Sequence, residues 1–228
     1  MTIRAVLFDI GGPLDMEFAW EIAIDSAIAA ACTIERIPVD EQALAAASAR
    51  AVSAFAPDAY AAMIEDLCGG DAASASRVHQ RMRSTVQHLD AFQLRPGIAD
   101  LLSRLASRGL RLATVANQPA AALARLQRVG IARHFAFHAL SGIVGIRKPD
   151  PALFRAACDG LGVVPQACIM VGDRIDNDIV PARSLGMATI RFRTGRHARQ
   201  MPRSAAESPD REVVDVIELE RAIAEIAP

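Results

Sequence analysis

The sequence is poor in aromatic residues, has almost no net charge and contains no long apolar run. Aromatic residues make up 4% of the 228 residues, which argues against a stacking platform for single-stranded nucleic acid. The 25 basic and 26 acidic residues nearly cancel, which argues against a polyanion-binding surface spread over the whole protein. No apolar run reaches the ~20 residues that cross a bilayer, and the first residues do not have the pattern of a signal sequence. We therefore expect a cytoplasmic protein with no nucleic-acid or membrane partner.

The four cysteines do not have the spacing of a metal site. They are Cys32, Cys68, Cys158 and Cys168, and no C-x-x-C pair occurs among them. Each lies in an apolar stretch, so small buried side chains are favoured over a zinc site or a disulfide framework. Reduced thiols also fit a cytoplasmic protein.

Apolar runs of strand length alternate with helical patterns along most of the chain. Such continuous runs are typical of strands in a sheet that helices cover on both faces. Helices that begin at a proline and end at a glycine lie between several of them. The alternation predicts an α/β protein with a doubly wound, Rossmann-like, mostly parallel sheet. The predicted strands are residues 5–8, 112–115, 169–171 and 189–192, with a weaker fifth run at 213–217.

The region 15–91 breaks this alternation. It is rich in alanine and other helix formers, and it has no clear β-branched run. We interpret it as an inserted all-helical cap domain, which leaves residues 1–14 and 92–228 as the α/β core. A simple extension of one side of the sandwich is the alternative. An insertion after the first strand would lie near the carboxyl edge of the sheet, where ligands bind in such folds.

The first predicted strand ends in an aspartate that is followed by two glycines. Asp9 directly follows Phe8, and Gly11 and Gly12 come after Ile10. Aspartate is unfavourable at the end of a buried strand, because a lone buried carboxylate costs free energy. A metal ion would compensate that charge, although an aspartate that merely begins a turn fits this segment equally well.

A second acidic cluster follows the predicted strand 169–171. Asp173, Asp176 and Asp178 fall within six positions, and clustered carboxylate oxygens suit Mg²⁺. A solvated helix N-terminus would explain Asp176 but not Asp173, which directly follows the apolar run. Upstream of this cluster, the prolines that follow Lys148 hold it in an extended segment, where its ammonium could pair with carboxylates and with an anionic substrate.

A strongly basic stretch runs from residue 191 to residue 203. Its basic side chains are Arg191, Arg193, Arg196, His197, Arg199 and Arg203. The pattern favours a solvated loop, and a contact surface for an anionic partner is the alternative.

Four segments together resemble the motifs of the haloacid dehalogenase-like hydrolase superfamily. In chain order they are FDIGGPLD, ATVANQP, GIRKPDPALF and MVGDRIDNDIVPA. The resemblance covers nearly the whole chain and points to the branch whose helical cap is inserted after the first motif. It implies a hydrolase, with a phosphatase of a small phosphorylated metabolite as the main expectation.

The resemblance also implies a role for each matched residue. Asp9 would be the nucleophile that forms an aspartyl-phosphate, and Lys148 would steady it together with the transferring group. Mg²⁺ would be the cofactor, offsetting the repulsion between the Asp9 carboxylate and a phosphate. The implied metal ligands are Asp9, Gly11 through its carbonyl, Asp173 and Asp178, and the implied phosphate-binding residues are Ala116, Asn117 and Lys148.

Two positions depart from the family pattern. Gly11 stands where related phosphatases usually have an aspartate that serves as general acid and base, a loss that typically costs ~10²–10⁴-fold in rate. Ala116 stands where a serine or threonine usually donates to the phosphoryl group, and a missing donor of this kind costs ~2.7–4 kcal/mol. Asp15, Glu17 or His79 are alternative proton donors.

These departures leave two further functions open. One is a weakly active or non-catalytic protein that binds a phosphate ligand on the same scaffold. The other is a 2-haloacid dehalogenase, in which Asp9 would attack carbon without a metal. The dehalogenase is disfavoured, because that branch usually has an aromatic residue at the position of Gly11.

Overall fold

A single parallel sheet forms the centre of the α/β part of the protein. Within residues 2–228, the part of the chain that the computed structural model describes, six strands are ordered β3-β2-β1-β4-β5-β6. The predicted doubly wound α/β fold is confirmed. The strands are β1 (Ala5–Phe8), β2 (Arg111–Ala116), β3 (Phe137–Leu140), β4 (Cys168–Gly172), β5 (Ala188–Phe192) and β6 (Arg211–Val213).

The helices fall into two groups along the chain. Four come before β2 in the region of the predicted insertion, and the others alternate with the strands. Among the described residues, no helix combines the length and the apolar character needed to cross a membrane. The helices are α1 (Phe18–Ile34), α2 (Glu41–Ser53), α3 (Ala59–Leu67), α4 (Ala72–Val86), α5 (Ile98–Ser107), α6 (Ala122–Arg128), α7 (Ser141–Val144), α8 (Pro151–Leu161), α9 (Val180–Ser184) and α10 (Val216–Ile226).

The chain divides into two compact units. The α/β unit consists of the residues up to Met16, Gln93–Thr194 and Pro202–Pro228. The helical unit consists of Glu17–Phe92 and Gly195–Met201. Residues 195–201, which the sequence analysis assigned to the α/β core, therefore group with the helices α1–α4.

The position of β1 explains where a ligand site can form in the α/β unit. All four side chains of β1 are completely buried, as its unbroken apolar sequence predicts. β1 lies between β2 and β4, with Phe8 opposite Thr114 on one side and Val171 on the other. The strand order reverses at this point, so the carboxyl end of β1 opens into the crevice where ligands bind in doubly wound folds.

Two elements differ from the sequence prediction. β3 was not predicted, because its sequence FHAL has no β-branched residue and contains His138, whose Nδ1 lies 3.0 Å from Thr114 Oγ1 on β2. The run 213–217, predicted as one strand, is instead the end of β6 followed by the start of α10. Asp215 causes the change, because its carboxylate accepts the Glu218 N–H at 2.8 Å and caps the helix.

The helical unit owes its short helices to aspartate caps. The carboxylates of Asp40, Asp58 and Asp71 accept backbone N–H groups at the starts of α2, α3 and α4, at 2.7, 3.0 and 3.1 Å. Each such cap stabilises a helix by ~1 kcal/mol. The core of this unit is made of alanine and aliphatic side chains around Ile28 and Met63, both completely buried.

The basic stretch 191–203 is only in part the solvated loop that the sequence predicts, because Arg193, Arg199 and Arg203 are exposed but Arg191 and Arg196 are not. Arg191 lies inside β5 and is buried, donating to Glu212 Oε1 at 2.9 Å. The side chain of Arg196 is only 6% exposed and pairs with Asp25 at 2.6 Å. The prediction is wrong at both positions because each guanidinium has a carboxylate partner that lies far away in the sequence.

Three of the four cysteines are buried. Cys32 belongs to the core of the helical unit, whereas Cys158 and Cys168 belong to a core of the α/β unit and their sulfur atoms lie 3.7 Å apart. Cys68 is half-buried. All four are free thiols, and the buried ones act as small apolar side chains.

Candidate active site

Three carboxylates meet at the carboxyl edge of the central strands. Asp9 directly follows β1, and its backbone N–H donates to Val171 of β4 at 2.9 Å. Asp173 directly follows β4, and Asp178 belongs to the π-helical turn Ile175–Ile179 that comes next. One carboxylate oxygen from each of the three aspartates lies within 4.8 Å of the others. The two strand ends that the sequence singled out therefore contribute to one cluster.

A buried ammonium group lies among these carboxylates. Lys148 Nζ is 2.9 Å from Asp9 Oδ2 and 2.6 Å from Asp178 Oδ1. The Lys148 side chain is only 3% exposed, and a lysine is buried to this extent only where opposite charges compensate it. The predicted lysine and carboxylates are thus direct neighbours.

The composition of the sequence also indicates that Lys148 has a special role, which the sequence analysis did not consider. Lys148 is the only lysine among the 25 Lys and Arg residues of the chain. A compact ammonium differs from a planar guanidinium in size, hydration and hydrogen-bond geometry. A single lysine among so many arginines therefore marks a position where an arginine would not serve.

The burial of the cluster changes how its groups ionise. Burial raises the pKa of Asp9 to about 6, and the negative charge of Asp178 adds to this effect while Lys148 opposes it. Burial alone would lower the pKa of Lys148, but the charges of Asp178 and Asp9 outweigh it and raise that pKa above its usual value. The lysine therefore stays charged at neutral pH.

The charge balance of the cluster fits a divalent cation. Three carboxylates of charge −1 and one ammonium of charge +1 leave a net charge of −2 when all four groups are ionised. Carboxylate oxygens are the ligands that Mg²⁺ prefers. Asp9, Asp173 and Asp178 therefore have the chemistry needed to hold such an ion.

Asp178 depends on a glycine that the sequence analysis left without a role. Asp178 Oδ2 accepts the Arg174 N–H at 3.0 Å, while Oδ1 accepts from Lys148. A β-carbon added to Gly172 would lie 2.3 Å from Asp178 Cγ. Any side chain at position 172 would therefore displace the Asp178 carboxylate.

Asp176 lies outside the cluster of three carboxylates. Its Oδ2 is 2.5 Å from Arg174 Nη2, so it neutralises that guanidinium. This pairing distinguishes Asp176 from Asp173 and Asp178, and the Asp176 side chain, 17% exposed, is an ion-pair partner and not the solvated helix start that the sequence suggested.

The loop after Asp9 is fixed by an arginine that the sequence analysis missed. Arg95 Nε donates to the Gly12 carbonyl at 2.8 Å, and its Nη2 donates to Thr194 Oγ1 at 3.0 Å. The guanidinium also stacks on Phe192, 4.5 Å from the ring centroid. Gly12 has a φ of +78°, and a β-carbon there would lie 2.9 Å from Asp173 Cβ. Only glycine meets both conditions.

Gly11 and Ala116 bring no polar side chain to this edge of the sheet. Gly11 is buried in the loop after Asp9, and Ala116 is the completely buried last residue of β2. The nearest upstream hydroxyl, that of Thr114, pairs with His138. Any donor from this part of β2 must therefore come from the backbone or from Asn117.

Asn117 makes a different contact from the one that the resemblance implies. Its Oδ1 accepts the Lys148 N–H at 2.7 Å, and its Nδ2 donates to the Lys148 carbonyl at 3.0 Å. Both functional ends of the carboxamide are therefore engaged with the backbone of Lys148.

Comparison with known proteins gives one consistent result. Residues 3–186 match the model of the family described as haloacid dehalogenase-like hydrolase. The chain is 35% identical over 129 residues to a glyceraldehyde 3-phosphate phosphatase of Methanopyrus kandleri, a match that covers 54% of this chain and 55% of that protein. It thus spans about half the length of that relative.

Two further matches cover most of the chain. An N-acetylmuramic acid 6-phosphate phosphatase of Pseudomonas aeruginosa is 30% identical, over 86% of this chain and 84% of that protein. The crystal structure of a predicted phosphoglycolate phosphatase from Haemophilus somnus superposes with a TM-score of 0.74 at 20% identity, covering 97% of this chain and 98% of that one. The second match supports the fold alone.

Proposed function

Because this chain belongs to the haloacid dehalogenase-like hydrolase family, we propose that it is a Mg²⁺-dependent phosphatase of a small phosphorylated metabolite. The observation behind this proposal is the meeting of Asp9, Lys148, Asp173 and Asp178 at one edge of the sheet. The names of the relatives, which are phosphatases of small phosphorylated compounds, support the same substrate class.

In the proposed reaction, Asp9 attacks the phosphorus atom of the ester. A bond forms between a carboxylate oxygen and phosphorus, and the bond from phosphorus to the ester oxygen breaks. The leaving group departs with the electron pair of that bond, as an alkoxide or phenolate that takes its proton from water. Water then hydrolyses the aspartyl-phosphate and regenerates Asp9. Lys148 holds the nucleophile in place and offsets the charge that develops on the phosphoryl oxygens.

The metal would be held by the acidic cluster. Asp9, Asp173 and Asp178 are the proposed side-chain ligands, with the Gly11 carbonyl as a backbone ligand. Bound Mg²⁺ would supply charge that lets an anionic nucleophile approach an anionic phosphate. The closeness of the three carboxylates, with one oxygen of each within 4.8 Å of the others, supports this assignment.

The proton for the leaving alcohol is the unusual part of this mechanism. With glycine at position 11, no carboxyl group follows the nucleophile by two residues. We therefore propose that esters with good leaving groups, such as aryl phosphates or sugar 1-phosphates, are hydrolysed fastest. In such esters the alcohol needs less help from an acid.

Phosphate release from a panel of esters tests the proposal. The purified protein is assayed with Mg²⁺ and with EDTA, beside the Asp9→Asn variant. We expect turnover only with Mg²⁺ and only in the wild-type protein. Turnover that persists in EDTA, or in Asp9→Asn, would refute the mechanism.

A gain-of-function variant tests the role of position 11. We expect Gly11→Asp to raise the rate on alkyl phosphates by ~10-fold or more, and to change the rate on aryl phosphates far less. An equal change on both classes would mean that the missing carboxyl group does not limit the reaction.

A phosphate-binding protein with little turnover is the second candidate. Gly11 and Ala116 favour it, since each lacks the side chain that usually assists catalysis. Stabilisation by phosphate compounds in thermal denaturation, without release of phosphate from any of them, would support this candidate over the first.

A further inference from the structure

The carboxamide of Asn117 is paired with the backbone of the only lysine. The two hydrogen bonds, of 2.7 and 3.0 Å, use the N–H and the carbonyl of the same residue, Lys148. Among uncharged side chains, only the amides of Asn and Gln present a donor and an acceptor side by side. The contact therefore depends on the amide and is specific to this type of side chain.

The two partners differ in how firmly the fold itself holds them. Asn117 directly follows β2, which is paired with β1 on one side and β3 on the other. Lys148 lies in the connection between α7 and α8, where no strand pairing fixes its backbone. The hydrogen bonds thus tie a loop residue to the sheet that also positions Asp9.

We propose that Asn117 is a positioning residue, which keeps the Lys148 ammonium between Asp9 and Asp178 by fixing the Lys148 backbone. The effect of Asn117 on catalysis rests on the function proposed above. The hydrogen bonds between Asn117 and the Lys148 backbone do not depend on that function. Oδ1 has no proton to donate, and one Nδ2 proton is already used, so the carboxamide has little left to offer a phosphoryl group. Asn117 would act on the reaction through Lys148.

The short distances around Lys148 explain why its backbone must be fixed. Its Nζ lies 2.9 Å from Asp9 and 2.6 Å from Asp178, and the side chains of these two aspartates are 14% and 0% exposed. A lysine has four rotatable bonds, so a displaced backbone would let the ammonium leave this position for solvent. A displacement of ~1 Å in a catalytic group can cost ~10²-fold in rate.

The single lysine makes the proposal testable without any enzymatic assay. An N-hydroxysuccinimide ester of acetic acid acylates unprotonated amines, and here the only amines are Lys148 and the chain's N-terminus. The full-length protein is labelled in a buffer without divalent cations, and mass spectrometry of Arg-cleaved peptides gives the ratio of the two rates. The N-terminal amine serves as the internal reference.

We expect Asn117→Ala to raise the Lys148 labelling ratio roughly 10-fold, since two partly buried hydrogen bonds that hold the lysine backbone are lost. Gln118→Ala is the matched control, because the Gln118 side chain makes no hydrogen bond within residues 2–228; it should change the ratio by less than about 2-fold. Asn117→Ser, whose hydroxyl cannot reach both backbone groups, provides a second variant should Asn117→Ala not fold. An unchanged ratio in the folded variant would overturn the proposal.

Steady-state kinetics separate positioning from direct contact with the substrate. On an ester that the wild-type protein hydrolyses, we expect Asn117→Ala to lower kcat by roughly 10–100-fold with little change in KM. A raised KM with an unchanged kcat would assign Asn117 to substrate binding and overturn the proposal. If no ester is hydrolysed, the proposed function fails, and the labelling ratio still decides whether Asn117 positions Lys148.

Discussion

Two clusters, one in each compact unit, bury charge in opposite ways. In the α/β unit, the carboxylates of Asp173 and Asp178 are buried, and the cluster with Asp9 and Lys148 has an excess of negative charge. In the helical unit the buried charge is a cation. The side chain of Arg196 is 6% exposed, while that of its partner Asp25 is 36% exposed.

The difference supports the proposal that the α/β cluster, and not the cluster around Arg196, holds a ligand. The guanidinium of Arg196 bonds Asp25 and Ser48 at 2.6 Å each and stacks on Tyr60, all within the helical unit. Its partner carboxylate is 36% exposed, so the cation has an anionic partner that water can also solvate. The α/β cluster joins three carboxylates to one ammonium, and the guanidinium groups of Arg174 and Arg191 also act on Asp173. We infer that a buried excess of anionic charge indicates a cation site, whereas a buried cation with a solvated partner indicates a structural anchor.

The largest expected effect comes from removing the ammonium of the α/β cluster. At about pH 8 without Mg²⁺, Lys148→Met should lower the free energy of unfolding by ~3–5 kcal/mol, because the buried carboxylate of Asp178 and the largely buried one of Asp9 lose their partner. Urea denaturation measures this, with the exposed neighbour Arg147→Met as control. An equal effect of both substitutions would contradict the electrostatic interpretation of the cluster.

Removing the buried guanidinium of Arg196 from the helical unit should lower the free energy of unfolding by less than Lys148→Met does. We expect Arg196→Ala to lower the free energy of unfolding by roughly 3 kcal/mol at most, since Asp25 can return to solvent. The loss should be the same with and without Mg²⁺. Arg199→Ala, an exposed position in the same segment, is the control, and a Mg²⁺-dependent loss in Arg196→Ala would contradict the comparison.

Added Mg²⁺ should stabilise the protein through the α/β cluster. At a concentration of ~100 times its dissociation constant, the ion would raise the free energy of unfolding by ~2.7 kcal/mol. Asp173→Asn should abolish this Mg²⁺-dependent stabilisation, because Asp173 belongs to the cluster. Asp176→Asn should leave the stabilisation unchanged, because Asp176 is paired with Arg174. Thermal denaturation over a Mg²⁺ titration compares the three proteins, and a gain that survives Asp173→Asn would place the ion elsewhere.

The smallest expected effect concerns the glycine behind Asp178. Gly172→Ala should weaken Mg²⁺ binding by ~10-fold, because the new methyl group displaces a carboxylate of the cluster. Gly130→Ala is a useful control: that position is open but has a positive φ, so the change should reduce stability and leave the Mg²⁺ affinity unchanged. Isothermal titration calorimetry measures both affinities.

Much of the α/β unit could be predicted from local sequence. β1, β2, β4 and β5 have continuous apolar runs, and the residues that follow β1 and β4 break those runs with aspartates. Because the carboxyl ends of parallel strands share one edge, the strand prediction places Asp9 and Asp173 at the same edge of the sheet, and the pairing of β1 with β4 brings them together. Burial of both strand ends then makes the cluster costly without a cation.

The remaining features depend on contacts between residues far apart in the sequence. Arg196 belongs to a polar stretch, and the partner that buries it, Asp25, is 171 positions away. Asn117 is paired with the Lys148 backbone, 31 positions away. Every residue except proline has the same main-chain N–H and carbonyl groups, so the sequence does not indicate which of them a side chain will bind. β3 was missed because its stability comes from β2 and the Thr114 contact more than from its own residues.

The grouping of residues 195–201 with the helices affects how this protein can be recombined with its relatives. A chimera that exchanged residues 17–92 alone would leave Arg196 without Asp25, Ser48 and Tyr60, and would leave the transplanted helices without their buried guanidinium. Residues 17–92 therefore do not form an independent unit that can be exchanged by itself. A functional graft has to carry two separate stretches of the gene.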